Sequence, residues 1–204
     1  MAKKEITQSA QVNDKKLRTK DLIFAGAFGA IYIVLMLGVV MVSGMVPILY
    51  LISPLTVGLV CGTVYELCVL KVHKFGAALI LGVLFAVVAC SGHLPGMALA
   101  VGCALLAELV LLVGKYKSKK MFLLSFVLFN LNMLCPFTQL WFRRDAFLSL
   151  SANYYGQAYA DGVAALATDW MAYAQIGLAV LGGVLGALIA SGLIRKHFQK
   201  AGIL

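Results

Sequence analysis

Charge is scarce in this chain. Asp, Glu, Lys and Arg make up 12% of its 204 residues, against about 25% in ordinary soluble domains. Proline is scarce too, with four residues. Catalytic signatures are missing: there is no HExxH, no GxSxG, no phosphate-binding P-loop and no glycine-rich dinucleotide fingerprint. Ser91-Gly92-His93 makes no triad, because adjacent residues lack a fixed third partner. No enzyme is therefore expected. With no motif for ATP hydrolysis, uphill movement of a solute would draw on a partner or an ion gradient. The five cysteines (Cys61, Cys68, Cys90, Cys103 and Cys135) form no CxxC pair and lie in apolar runs. That spacing excludes a zinc or thioredoxin-type motif, and small apolar residues inside helices are expected instead. The first twenty residues are polar and basic, without an early apolar run or small-residue cleavage site, so no cleavable signal peptide is expected.

What remains is 62% hydrophobic, and such an excess has to face lipid. Apolar runs cover about 22–42, 46–70, 75–90, 94–114, 121–142 and 171–194, each close to the roughly 20 residues of a spanning helix. The third is the shortest. Unpaired backbone amides are not tolerated in hydrocarbon, so the runs must be helical. Pro47 and Pro54 predict an irregular start to the second run, with regular helix after Pro54. The fold expected is an all-α, six-helix membrane bundle. A basic tail (1–20) precedes a single transmembrane domain (21–194), and a short tail (195–204) follows. The outer segment 143–169 is amphipathic and predicts a surface helix or cap, with Tyr154, Tyr155 and Tyr159 at headgroup level.

The formal charge is +9, but a nucleic-acid surface is not indicated, because the cations cluster between apolar runs as in loops near anionic headgroups. Fifteen of the seventeen Lys and Arg fall in the N-terminal tail, at 71–74, at 115–120 or after 194. Six spans put all of these on one side and leave only Arg143 and Arg144 on the other. The positive-inside rule makes that side cytoplasmic, with both termini there, in a multi-pass protein of the cell membrane.

Small residues recur at four-residue spacing: Ala25/Gly29, Gly26/Ala30, Gly58/Gly62, Gly92/Gly96 and Gly182/Gly186. Such pairs let another backbone approach closely. For the later pairs the expected neighbour is a helix of the same bundle. The AGAFGA stretch (25–30), near the inner end of the first run, could instead dock a partner subunit.

Polar groups inside apolar runs are costly and mark candidate sites. Glu66 and Glu108 lie near the inner ends of their runs, where they either snorkel, pair with Lys71 or Lys115, or serve ion coupling. In the fifth run Asn132, Gln139 and Arg143 share one face on helical spacing, Asn130 lies off it, and Pro136 interrupts it. With His93 in the SGHLPG loop, and with Asp169, Trp170, Tyr173 and Gln175 opening the last run, they could line an outward-facing pocket. The competing account is interhelical hydrogen bonding plus an interfacial aromatic belt.

Three stretches carry a resemblance: LRTKDLIFAGAFGAIYIVLML (17–37), CGTVYELCVLKVHKFGA (61–77) and LIRKHFQKAGI (193–203). They resemble the Trep_Strep (MptD-type) family, which is read as substrate-binding S components of energy-coupling-factor transporters. The resemblance covers the chain after the tail and is weakest at 143–169. It implies six helices with both termini inside, a transmembrane coupling subunit and two cytoplasmic ATPase subunits as partners, and ATP used by those partners. No cofactor is expected on this chain. It also implies docking through an AxxxA-like motif, which maps to Ala25, Gly26, Gly29 and Ala30 with glycine replacing alanine. The expected role is capture of a small solute, such as a vitamin or micronutrient, through His93, Asn132, Gln139, Asp169, Trp170 and Gln175. The alternatives are a stand-alone secondary carrier or channel, against which the lack of an evident inverted repeat argues, and, more weakly, an intramembrane enzyme.

Overall fold

A computed structural model describes residues 17–198, with side chains through Lys196. The tail expectations for 1–16 and 199–204 lie outside these residues. Helix α1 (Thr19–Ser43) is the first apolar run, and Asp21 caps its start by accepting the Arg18 backbone N–H at 2.9 Å. The second run divides as its prolines require. Helix α2 (Pro47–Leu51) ends at Ile52, and α3 (Ser53–Val72) begins with Pro54 in its first turn, where a missing N–H costs nothing. Helix α4 (Ala77–Ala89) and helix α5 (Leu94–Val113) follow.

The fifth run is not one helix. Helix α6 (Lys119–Asn130) tightens into a 3-10 turn at Leu131–Leu134, and α7 (Thr138–Phe142) restarts after Pro136. Segment 143–169 forms two short helices, α8 (Arg144–Tyr155) and α9 (Gln157–Leu166). Helix α10 (Asp169–Leu193) closes the bundle and runs into a π-helical turn at Ile194–Phe198.

Four of these helices, α1, α3, α5 and α10, are long and apolar enough to cross a membrane. Helix α4 has 13 residues and α6 has 12, short of the roughly 20 that span hydrocarbon alone. Around the bundle, α1 packs on α3, α3 on α10, α10 on α6, α6 on α5, α5 on α4, and α4 back on α1. The ring encloses an aromatic core of Tyr32, Tyr65, Phe85, Phe126 and Phe129. Its outer surface carries exposed aliphatic side chains such as Val34, Met41, Leu106 and Leu188, as expected of helices apolar all round that face lipid.

Glycine sets the tightest contact. Gly58 and Gly62 of α3 meet Gly182 and Gly186 of α10. A Cβ on Gly58 would stand 2.6 Å from the Gly182 carbonyl carbon, and one on Gly62 would stand 2.9 Å from that of Gly186. The two backbones therefore touch directly.

The two ends of the bundle differ. At one, Lys74 Nζ bridges to Asp21 at 2.7 Å, joining the α3–α4 turn to the start of α1. The α5–α6 turn and the end of α10 lie here too, so this is the basic end. At the opposite end a second apolar cluster (Leu51, Phe137, Leu140, Val163, Ala167 and Met171) holds α2, α7 and α9 against the start of α10.

Candidate functional site

At the end opposite the basic loops, the break in the fifth run decides where its polar residues go. Pro136 has no N–H to continue an α-helix, and the preceding turn closes through Cys135 N–H to the Asn132 carbonyl at 3.0 Å. A 3-10 turn advances about 120° per residue rather than about 100°, so the stripe expected from α-helical spacing dissolves. Asn132 is fully buried, Gln139 is half-buried and Arg143 is exposed. Among the described residues neither amide atom of Asn132 has a hydrogen-bond partner. Asn130, which the helical stripe leaves aside, is also fully buried. Its Nδ2 donates to the carbonyls of Pro54 at 3.0 Å and Ala179 at 2.7 Å, stitching α3 to α10.

His93 is buried beside this break. Its Nε2 lies 2.8 Å from Thr138 Oγ1, and that hydroxyl donates to the Cys135 carbonyl at 2.5 Å. A hydroxyl has one proton to give. Thr138 therefore accepts from His93, and the imidazole carries its proton on Nε2. Gln175 is buried and satisfied: Oε1 accepts the Trp141 indole N–H at 3.0 Å, and Nε2 donates to the Leu51 carbonyl at 3.1 Å. It pins α2 and α7 to α10. Asp169 and Trp170 stand on the exposed first turn of α10, with Trp170 63% accessible. The six residues are thus not gathered around one open pocket. His93 and Asn132 are buried at the helix break, Gln175 is a structural tie, and Asp169 and Trp170 face outward as an interfacial belt would.

Segment 143–169 folds over this end. Arg144 donates to the carbonyls of Ala167 and Ala164, both at 2.7 Å, and so satisfies the end of α9. Tyr50, Phe147, Tyr154, Tyr155 and Tyr159 line a small cavity of about 200 Å³ between α1 and this segment.

On α1 the two small-residue pairs separate. Ala25 and Gly29 are buried, and a Cβ on Gly29 would press into Leu84 of α4. Ala30 is exposed, and among the described residues a Cβ on Gly26 would meet nothing within 4 Å. Of the docking residues expected from the sequence, only Gly26 and Ala30 leave the bundle.

A cavity of about 680 Å³ opens at the basic end between α3, α6 and α10. Lys115, Lys117, Lys119 and Arg195 line it, with Leu70, Phe122 and Leu188 as apolar walls. Burial holds the His73 imidazole below its ordinary pKa, so it is neutral at pH 7 and the positive charge comes from Lys and Arg. Glu66 also lines the cavity at 3% exposure. One carboxylate oxygen accepts a long bond of 3.4 Å from Ser191, and the other has no partner among the described residues. Glu108 behaves differently. Its Oε2 accepts the backbone N–H groups of Ala78 at 2.8 Å and Leu79 at 3.1 Å, and its Oε1 accepts the Tyr116 hydroxyl at 2.6 Å. It is the cap of α4. Burial first, and then this bond, push the Tyr116 phenol up, so it stays a donor.

The five cysteines are buried and form no disulfide with one another. Among the described residues no group of three or more His, Cys, Asp or Glu is placed to hold a metal ion.

Compared with known proteins, residues 19–200 match a family described as a hypothetical bacterial integral membrane protein (Trep_Strep). No curated protein and no solved structure matches the chain.

Proposed function

The chain belongs to the Trep_Strep family of bacterial integral membrane proteins, and from that premise we propose that it is the solute-binding membrane subunit, or S component, of an energy-coupling-factor importer. It captures a small polar solute, of vitamin or micronutrient type, at the end opposite the basic loops. A transmembrane coupling subunit and two cytoplasmic ATPase subunits then drive delivery inward. The chain crosses the cell membrane six times with both termini in the cytoplasm, carries no cofactor and catalyses no reaction.

The observation that carries this reading is Asn132. A fully buried amide with both atoms unpartnered is costly. Irregular backbone at hydrocarbon depth is tolerated where protein covers it or where it lines a site. Solute sites of membrane carriers form at discontinuous helices, and Asn132 sits in such a break. A solute bearing one donor and one acceptor would satisfy the amide.

Two measurements test this. Mass spectrometry of purified protein identifies the solute that travels with it. Asn132→Ala should then weaken its binding about tenfold, the worth of a hydrogen bond lost in a dry site, without lowering the unfolding midpoint of the empty protein. Unaltered affinity would remove Asn132 from the site.

Docking on the coupling subunit is assigned to the open Gly26/Ala30 face. Gly26→Leu should abolish co-purification of coupling and ATPase subunits while solute affinity stays unchanged, since among the described residues a Cβ at this position meets nothing within 4 Å. Normal assembly would move the docking face elsewhere. Glu66 favours one second reading, a stand-alone carrier coupled to an ion, because its carboxylate is buried beside a cavity. Uptake into vesicles by the purified chain alone would establish that reading over the first.

A further inference from the structure

From the cavity at the basic end we infer a binding site for a soluble, phosphate-type anion with an apolar body and, at its far end, an ammonium or hydroxyl donor. The inference does not rest on the import reading. Three observations carry it.

The first is the order of charge along the cavity. Lys115, Lys117 and Lys119 come from the α5–α6 turn and the first turn of α6, at the mouth. Glu66 lies deeper, seven residues before His73 on α3, a rise of about 10 Å. Leu70, Phe122 and Leu188 fill the interval. Cations, an apolar middle and a carboxylate read as the negative image of an anion, a hydrocarbon or ring, and a donor.

The second is Glu66 Oε1, which is buried and has no partner among the described residues. Buried carboxylate oxygens are ordinarily paired, and an orphan one marks a place for a donor that the chain does not supply.

The third is backbone strain. His73, Lys115 and Tyr116 have φ values of 49°, 51° and 52° and are the non-glycine residues with positive φ among those described. All three line this cavity. Glycine ordinarily takes such positions after a helix. Glycine would relieve the strain and remove three side chains from the wall. Tyr116 is committed to Glu108, and His73 and Lys115 face the space. Strain held in this way gathers at ligand sites.

A lipid headgroup shares the chemistry but fits in the wrong order. In a bilayer lipid the phosphate lies nearer the hydrocarbon than the headgroup donor does. Here the acceptor for the donor is the deeper group, so the occupant enters from the aqueous side.

Calorimetry on the full chain in detergent, with three related probes, tests the site. O-phosphotyramine carries phosphate, ring and ammonium; phenyl phosphate lacks the ammonium; tyramine lacks the phosphate. O-phosphotyramine should bind more tightly than either. Glu66→Gln, which is isosteric, should weaken it about tenfold and leave phenyl phosphate unchanged. Lys115→Gln with Lys119→Gln should weaken both phosphates, and tyramine should be indifferent to that pair. Retained phenyl phosphate binding in Glu66→Gln shows that the variant is folded. Absence of O-phosphotyramine binding, or affinity untouched by Glu66→Gln, overturns the proposal. So does stabilisation by phosphatidylglycerol or phosphatidylethanolamine in nanodiscs that O-phosphotyramine fails to displace, which would assign the cavity to lipid.

Discussion

Gly58→Leu is expected to yield no folded bundle, and Gly58→Ala to fold with a markedly lower unfolding midpoint. The β-carbon alone would stand 2.6 Å from the Gly182 carbonyl carbon, 2.7 Å from Asn130 Nδ2 and 2.8 Å from the Gly182 oxygen. Two of those three neighbours are backbone atoms, which cannot rotate away, and the third is held by two hydrogen bonds to backbone carbonyls. Relief therefore requires α3 and α10 to separate. Separation would also loosen Gly62 from Gly186 one turn on and pull Asn130 off Pro54 and Ala179. Overpacking a close contact costs about 1–3 kcal/mol, sometimes more, and here a buried amide would lose its partners as well. Gly102 and Gly177 provide the control, since a Cβ at either meets nothing within 4 Å among the described residues. Leucine at those positions should leave the elution profile and midpoint unchanged. A monodisperse Gly58→Leu protein with an unshifted midpoint would mean that α3 and α10 do not meet through these glycines.

The glycine pairs show what the sequence can and cannot convey. Four-residue spacing places Gly58 with Gly62, and Gly182 with Gly186, each on one face. It says nothing of which face meets which, and two helices more than a hundred residues apart must be folded before the match appears. For the same reason the spacing cannot separate Ala25/Gly29, used inside the bundle, from Gly26/Ala30, left outside. The proline breaks are legible, because a missing N–H acts locally: Pro54 opens α3, and Pro136 ends the regular fifth run. Their consequence is less so. Extending a 3.6-residue period through Pro136 aligns Asn132 with Gln139 and Arg143, whereas the 3-10 turn sends Asn132 inward alone and leaves Arg143 exposed. The cavity at the basic end is hidden for a further reason. It depends on left-handed backbone at His73, Lys115 and Tyr116, and glycine, the usual sign of that geometry, is not the residue there.

Glu108 has the second large effect, and its role is invisible from spacing because its main partners are backbone donors thirty residues upstream. Residues at the start of a helix have N–H groups with no intrahelical acceptor, and for α4 two of them lie inside the bundle at Ala78 and Leu79. Glu108 Oε2 takes both, while Oε1 takes Tyr116. Glu108→Leu strands two amides and a phenol. At about 1–3 kcal/mol for each stranded group, the loss is a large part of a typical folding free energy of about 5–15 kcal/mol. The leucine variant should therefore aggregate or unfold near room temperature. Glu108→Gln should fold with a midpoint close to that of the unsubstituted protein. Its amide oxygen can replace Oε2 toward Ala78 and Leu79, and its NH2 can donate to the Tyr116 oxygen, which also accepts. The pair separates two roles for an intramembrane carboxylate. A cap needs an acceptor oxygen, and glutamine supplies one. An ion-coupling group needs a titratable oxygen, and glutamine has none. Thermal unfolding in detergent reads the first requirement, and solute uptake in cells carrying the variant reads the second. Folded Glu108→Gln protein with normal uptake leaves Glu108 as the cap of α4. Folded protein with uptake abolished would move Glu108 from architecture to ion coupling and strengthen the carrier reading over the S component.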